Sequence, residues 1–233
     1  MQIKHFVPLL TALALCALAA CGGSGESASA SSPQASSAQG QVPTALDRYR
    51  GVLLGEDAFL YLDGENAPES LEISQVPALF SPDSSYAAVS WFAILDLDGD
   101  GTEEAVLQIT DVASDMGGYL VLRCQDKTVQ GYPSGWRTFW DLKTDGTFFY
   151  SQAGGSEDGL ASIRFTEDGL VLDKHLYGTG DWFRFYDFYL DGQAISKEEY
   201  DLALLEQDEK PDAQWHEFTP ERIDALFSAP AQG

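Results

Sequence analysis

The sequence predicts an α+β fold: an antiparallel β-meander of roughly seven to nine strands, one N-terminal helix and two C-terminal helices. Three observations carry this. From 87 to 190, runs rich in aromatic and β-branched residues alternate with Asp-Gly pairs at 145–146, 158–159, 168–169 and 191–192. Asp-Gly suits the tight turns of antiparallel hairpins, which need positive φ at both central positions. Capping signatures stand at Thr44, Ser196 and Thr219, each just before a stretch with helical apolar spacing.

The elements follow in order. Thr44, with Asp47 three residues on, caps a helix over about 44–54 whose apolar positions are 45, 46, 49, 52 and 53. "DAFLYLD" (57–63) reads as a short strand, "NAPES" (66–70) as a turn, and the Pro- and Ser-rich 76–85 as irregular. "AAVSWFAILD" (87–96) and "EAVLQITD" (104–111) read as strands flanking an aspartate-rich loop. "GYLVLRC", "WRTFWDLK", "TFFYSQ", "LASIRFT", "LVLDKHLY" and "DWFRFYDFYL" continue the meander. Over 182–189 both strand parities carry aromatics, which predicts a central strand covered on both faces. Ser196 with Glu199 forms a capping box before the next helix, and Thr219-Pro220 opens the last one, proline taking its favoured first position.

The first 43 residues read as targeting and tether rather than fold. Lys4 and His5 precede an apolar run, Phe6 to Ala20, too short to span a bilayer comfortably. The run ends in Leu18-Ala19-Ala20-Cys21, which resembles a bacterial lipobox. That resemblance implies a signal peptide over 1–20, lipid on Cys21, and export to the extracytoplasmic side of a bacterial cell membrane. Residues 21–43, beyond the lipidated cysteine, are Gly-, Ser- and Ala-rich, and as a flexible coil would span about 25 Å. Residues 44–233 form a single globular domain. Within it Cys124 is the one thiol, so no disulfide forms there, and a small buried hydrophobe is the expected role.

With 13 Lys and Arg against 37 Asp and Glu, the chain carries a formal charge of −24. Nucleic acid is excluded as a partner, since phosphate binding needs basic patches. Docking on anionic lipid through a charged face is excluded for the same reason. Aromatics at 12% rule out an acidic disordered tail.

The stretch "DLDGDGTEE" (96–104) carries the chemistry. Counting Asp96 as position 1, Asp98 is 3, Asp100 is 5, Gly101 is 6, Thr102 is 7 and Glu104 is 9. Alternate oxygen donors on a tight turn converge on a hard cation, with Gly101 permitting the turn and the Thr102 carbonyl pointing inward. Four carboxylates held close repel one another, which is a physical reason to expect a divalent ion. All-oxygen donors in a flexible loop favour Ca2+ over Mg2+, and no His/Cys cluster serves zinc. An EF-hand is excluded, because position 12 is Leu107 and the flanks read as strands. The D-x-D-x-D-G-x-x-E pattern between strands resembles the calcium loops of FG-GAP/VCBS-type repeats of integrin-like propellers. The resemblance implies Asp96, Asp98, Asp100, the Thr102 carbonyl and Glu104 as ligands of a structural calcium ion. It departs in having Glu at position 9 and a single loop, so the propeller is not implied. Lipobox, tether, one such loop and an aromatic meander together resemble poorly characterised bacterial lipoproteins.

Nothing else carries a catalytic motif. His175 and His216 lack a nucleophile elbow, and Glu157 with Asp158 reads as a solvated turn. The aromatics leave two readings open: core packing, or a platform in which exposed Trp136, Trp140, Trp182 and Tyr186 stack on a carbohydrate or protein ligand. The expectation is therefore a membrane-anchored lipoprotein whose calcium-stabilised domain binds or scaffolds without catalysis. The alternative is a cell-wall or polysaccharide hydrolase using a carboxylate cleft.

Overall fold

The computed structural model describes residues 44–81, 86–113, 117–152, 155–166, 169–181 and 184–227. The expectations for Cys21, the signal and tether, and Trp182 lie outside these residues.

Helix α1 spans Ala45–Leu53, and the Thr44 hydroxyl accepts from the Asp47 N–H while Asp47 returns a bond to the Thr44 N–H. β1 (Phe59–Tyr61) and β2 (Glu69–Leu71) form a short hairpin. A 3-10 turn at Ile73–Gln75 leads into α2 (Val76–Phe80), with proline in its first turn. The expected irregular segment is thus helical over its first five residues, since Pro77 occupies a position that needs no N–H donor. Then come β3 (Ala87–Leu95), β4 (Glu104–Asp111), β5 (Gly118–Gln125), β6 (Thr128–Gly135), β7 (Phe148–Ser151), β8 (Glu157–Thr166), β9 (Gly169–Asp181), β10 (Arg184–Leu190) and β11 (Gln193–Ile195). α3 (Lys197–Asp208), β12 (His216–Glu217) and α4 (Pro220–Phe227) close the chain. Ser196 and Glu199 form the expected capping box, and the Thr219 hydroxyl accepts from the Arg222 N–H.

The α+β class holds, but the count is twelve strands and four helices among the described residues, in place of seven to nine strands and three helices. The strands form two sheets rather than one meander, ordered β12-β3-β4-β5-β6-β1-β2 and β11-β10-β9-β8-β7. All pairings are antiparallel except β1 with β6.

Alternation along β4 and β5 explains the layers. Ala105, Leu107, Ile109, Leu120 and Leu122 face one core, with Tyr49, Val52 and Leu53 of α1 and Ile223 of α4. Val106, Val121 and Tyr119 face the opposite core, shared with Phe148, Tyr150, Ala161 and Ile163 of the smaller sheet. Leu160 and Leu176 on the smaller sheet's other side pack against Tyr200 of α3. The order is helices, large sheet, small sheet, helix. β4 and β5 are buried on both faces, which is why they read as near-continuous apolar runs.

Four sequence expectations fail for local reasons. Residues 136–143 are not a strand; they form a connection held by isolated bridges from Trp140 to Phe149 and from Lys143 to Asp212. β6 was missed because Gly131 and Pro133 depress its strand signal, and it follows a tight turn at Asp126-Lys127, both with positive φ (49° and 70°). Glu157-Asp158-Gly159 opens β8 instead of turning: a Cβ at Gly159 would lie 1.9 Å from the Leu176 carbonyl oxygen, so this glycine serves a close strand approach. β10 is not a strand buried on both faces, for Tyr186 is 50% exposed and no residue of β10 is buried. The Asp191-Gly192 turn is as expected, with φ of 48° and 78°.

Candidate metal centre

The aspartate-rich loop joins β3 to β4 at the same end of the large sheet where Arg123 stands on neighbouring β5. The flanks are strands, and Leu107 at the would-be twelfth position is fully buried in the core. An EF-hand geometry is therefore absent from this loop.

The loop is built by its own side chains. Asp96 Oδ1 accepts from the Gly99 N–H (2.8 Å) and Oδ2 from the Gly101 N–H (3.0 Å). Asp98 Oδ1 accepts from the Asp100 N–H (3.1 Å), and Asp100 Oδ1 from the Thr102 N–H (2.7 Å). Gly99 and Gly101 hold φ of 74° and 87°, a left-handed region that side chains resist. Aspartates here replace the backbone partners that the tight turn removes.

Carboxylate oxygens of Asp96, Asp98 and Glu104 lie within 4.8 Å of one another, close enough to share one ion. Asp100 is outside that group, its Oδ2 accepting from an Arg123 guanidinium nitrogen at 2.9 Å. The side chain of Thr102 is half-buried, and its N–H braces Asp100.

Glu104 is the decisive residue. It is fully buried, and one oxygen, Oε2, accepts from the Leu97 N–H at 3.0 Å. The other, Oε1, is buried without a hydrogen-bond partner; the nearest cation is Arg123 Nε at 3.9 Å, too far for a hydrogen bond. Burial, reinforced by Asp98 and Asp100, pushes the Glu104 carboxyl up to about 8, against the opposing Leu97 N–H and Arg123. Burial also works to raise Asp100, but hydrogen bonds from Thr102 and Arg123 outweigh it and hold that carboxyl below the usual range.

Arg123 was invisible to sequence reasoning. It approaches Asp98 (3.7 Å), Asp100 (2.9 Å) and Glu104 (3.9 Å), and its guanidinium lies 4.3 Å from the centre of the Phe165 ring. The cluster thus has an internal counter-ion, one cation among four acidic side chains. The donor set fits a hard cation: oxygens only, one of them desolvated and unpaired. The geometry alone does not single out Ca2+ from other hard divalent ions.

The remaining candidates separate. Trp136 and Trp140 stand together with ring centres 5.8 Å apart, while Tyr186 lies on β10 and donates to Asp181 (2.6 Å). Cys124 is half-buried and unpaired, its thiol pushed up by burial. Glu157 and Asp158 are consecutive on a strand and point to opposite faces, so they do not form a catalytic carboxylate pair. His216 accepts at Nδ1 from Arg222 (2.8 Å) and packs on Phe92. His175 Nε2 lies 2.8 Å from Ser162 Oγ, but its Nδ1 is 3.7 Å from Asp191, beyond hydrogen-bond reach.

Comparison with protein-family models, curated proteins and solved structures finds no match to this chain. Among the described residues no helix is long and apolar enough to cross a membrane.

Proposed function

We propose that this chain is an exported, lipid-anchored bacterial protein whose domain is stiffened by one structural calcium ion and serves as a non-catalytic binding module. The lipid sits on Cys21, and the ion is held by Asp96, Asp98 and Glu104, with Asp100 turned to Arg123 instead. The observation that carries the calcium reading is the unpaired, buried Glu104 Oε1 beside Asp96 and Asp98. Leaving a buried carboxylate oxygen unsatisfied costs about 1–3 kcal/mol or more, and a cation at that point removes the cost. A hard ion with oxygen donors is the chemistry that fits, and a loop that offers several carboxylates suits calcium better than magnesium.

The ion's effect is mechanical. At ten times its dissociation constant it adds about 1.4 kcal/mol, a rise in Tm of roughly 3–6 °C for a domain of this size. The test is thermal unfolding of the purified protein in calcium, in magnesium and in chelator, beside Asp98→Ala. A calcium-specific rise that disappears in Asp98→Ala is expected. No rise, or an equal rise in the variant, removes the calcium reading.

A further inference from the structure

On the large sheet, strand register sets three side chains in a row on one face. Trp91 of β3 pairs with Gln108 of β4, and Gln108 pairs with Tyr119 of β5. The row lies at the margin of the face that the large sheet turns to the smaller one, and more aromatics gather beside it from other parts of the chain. Trp136 and Trp140 come from the 136–143 connection and Trp215 from the approach to β12. Four of the chain's five tryptophans therefore line two adjoining grooves. One, of about 380 Å³, runs past Gln108, Thr110, Asp111, Tyr119, Trp136 and Trp140. The other, of about 450 Å³, runs past Trp91, Gln108, Tyr119, Trp140, Asp141 and Trp215. They share Gln108, Tyr119 and Trp140, and the two adjoining grooves are taken together as one aromatic channel.

The rings are held from behind. Phe149 of β7 lies parallel to Trp140 (centres 6.2 Å, planes 5° apart), and Phe139 packs edge-on against Tyr119 at 5.4 Å. The Arg137 guanidinium covers one side of Trp136 at 4.5 Å and is itself anchored to the Gln152 carbonyl. Rigid aromatics lose little entropy on binding. Among the described residues that line either groove none is a lysine, arginine or histidine, while Asp111 and Asp141 are among them. Asp141 is paired with Lys143 (2.7 Å), which also bonds Asp212.

From this arrangement we infer that the channel binds an uncharged glycan, a chain of neutral pyranose rings. The partly positive C–H face of a pyranose suits the negative π-face of tryptophan. Sugar hydroxyls find the amide of Gln108, the hydroxyl of Thr110 and the carboxylate of Asp141 along the walls. A chain of formal charge −24 turns away phosphate- and uronate-bearing polymers. The inference names the ligand of the binding module proposed above and rests on that reading.

The test is calorimetric titration of the purified protein with cellohexaose and with chitohexaose, beside polygalacturonate and a proline dodecapeptide. Saturable binding of one or both neutral hexaoses, with Kd below about 1 mM, is expected. Trp136→Ala and Trp140→Phe each weaken it about tenfold or more while Tm stays near that of the unaltered protein. Asp98→Ala keeps the affinity, so failure of the calcium reading is separable from failure of this one. Absence of binding by both hexaoses overturns the inference, as does equal affinity in both tryptophan variants. Preferential binding of polygalacturonate overturns neutrality, and preferential binding of the proline peptide replaces a glycan with a polyproline-type ligand.

Discussion

Two glutamates open adjacent-layer strands in the same way and meet opposite surroundings. Glu157 begins β8, and its Oε1 receives the Tyr150 hydroxyl (2.7 Å), the Gln152 amide (3.0 Å) and the Lys174 ammonium (2.5 Å). Glu104 begins β4, is more deeply buried, and receives one backbone N–H. Glu157 is supplied by the protein; Glu104 is left with an open oxygen facing two aspartates. The contrast teaches how to tell a structural carboxylate from a coordinating one. Burial alone does not distinguish them, but the source of the compensating charge does.

The largest expected effect comes from Glu157→Ala, which strips partners from Lys174 and Tyr150. It should cost about 2–3 kcal/mol in chemical unfolding, equally with calcium and with chelator. A calcium-dependent cost would erase the distinction between the two sites. Glu104→Gln comes next. In chelator it should unfold within about 1 kcal/mol of the unaltered protein, since the amide stands in for a carboxyl that burial already favours in its neutral form. With calcium at ten times Kd it should forgo the gain of about 1.4 kcal/mol. Arg123→Gln sharpens the picture further. Removing the internal counter-ion should destabilise the chelated protein by about 1 kcal/mol and enlarge the calcium-dependent gain by a similar amount. An unchanged calcium response would mean that Arg123 and the ion act on different carboxylates.

The smallest effect concerns pH and lies away from both glutamates. Burial, with the nearby Arg222 charge, pushes the His216 ring below its ordinary value, and Arg222 donates to its Nδ1. The folded state therefore favours the neutral ring. Its contribution is fully present above the unfolded value near 6.5 and falls away as pH drops below that value toward the folded one. Between pH 7.5 and 5, about the range over which a histidine titrates, His216→Gln should lose less stability than the unaltered protein, read as a difference in urea midpoint.

What was legible in the sequence is what is local. The sharp turn at Gly101, the capping boxes at Thr44 and Ser196, and the Asp191-Gly192 turn each depend on residues within about five positions, and each is as expected. What arrives from afar was hidden. Arg123 reaches the loop through the pairing of β4 with β5. Trp91 and Trp215 join Trp140 through strand register and the late return of β12 to β3. The 136–143 run misled because aromatics raise strand propensity wherever they stand, and here their packing rather than a ladder places them. The aromatics of 182–189 predict a strand covered on both faces, yet the strand pair so covered is β4 with β5, whose apolar runs are poorer in aromatics.

β4 carries Glu104 at its first residue, with Gln108 about 13 Å and Asp111 about 24 Å further along the extended chain. A slip of one position against β3 would turn all of these side chains to the wrong side at once. Cation pocket and aromatic channel thus share a single alignment, and whatever preserves one during folding preserves the other.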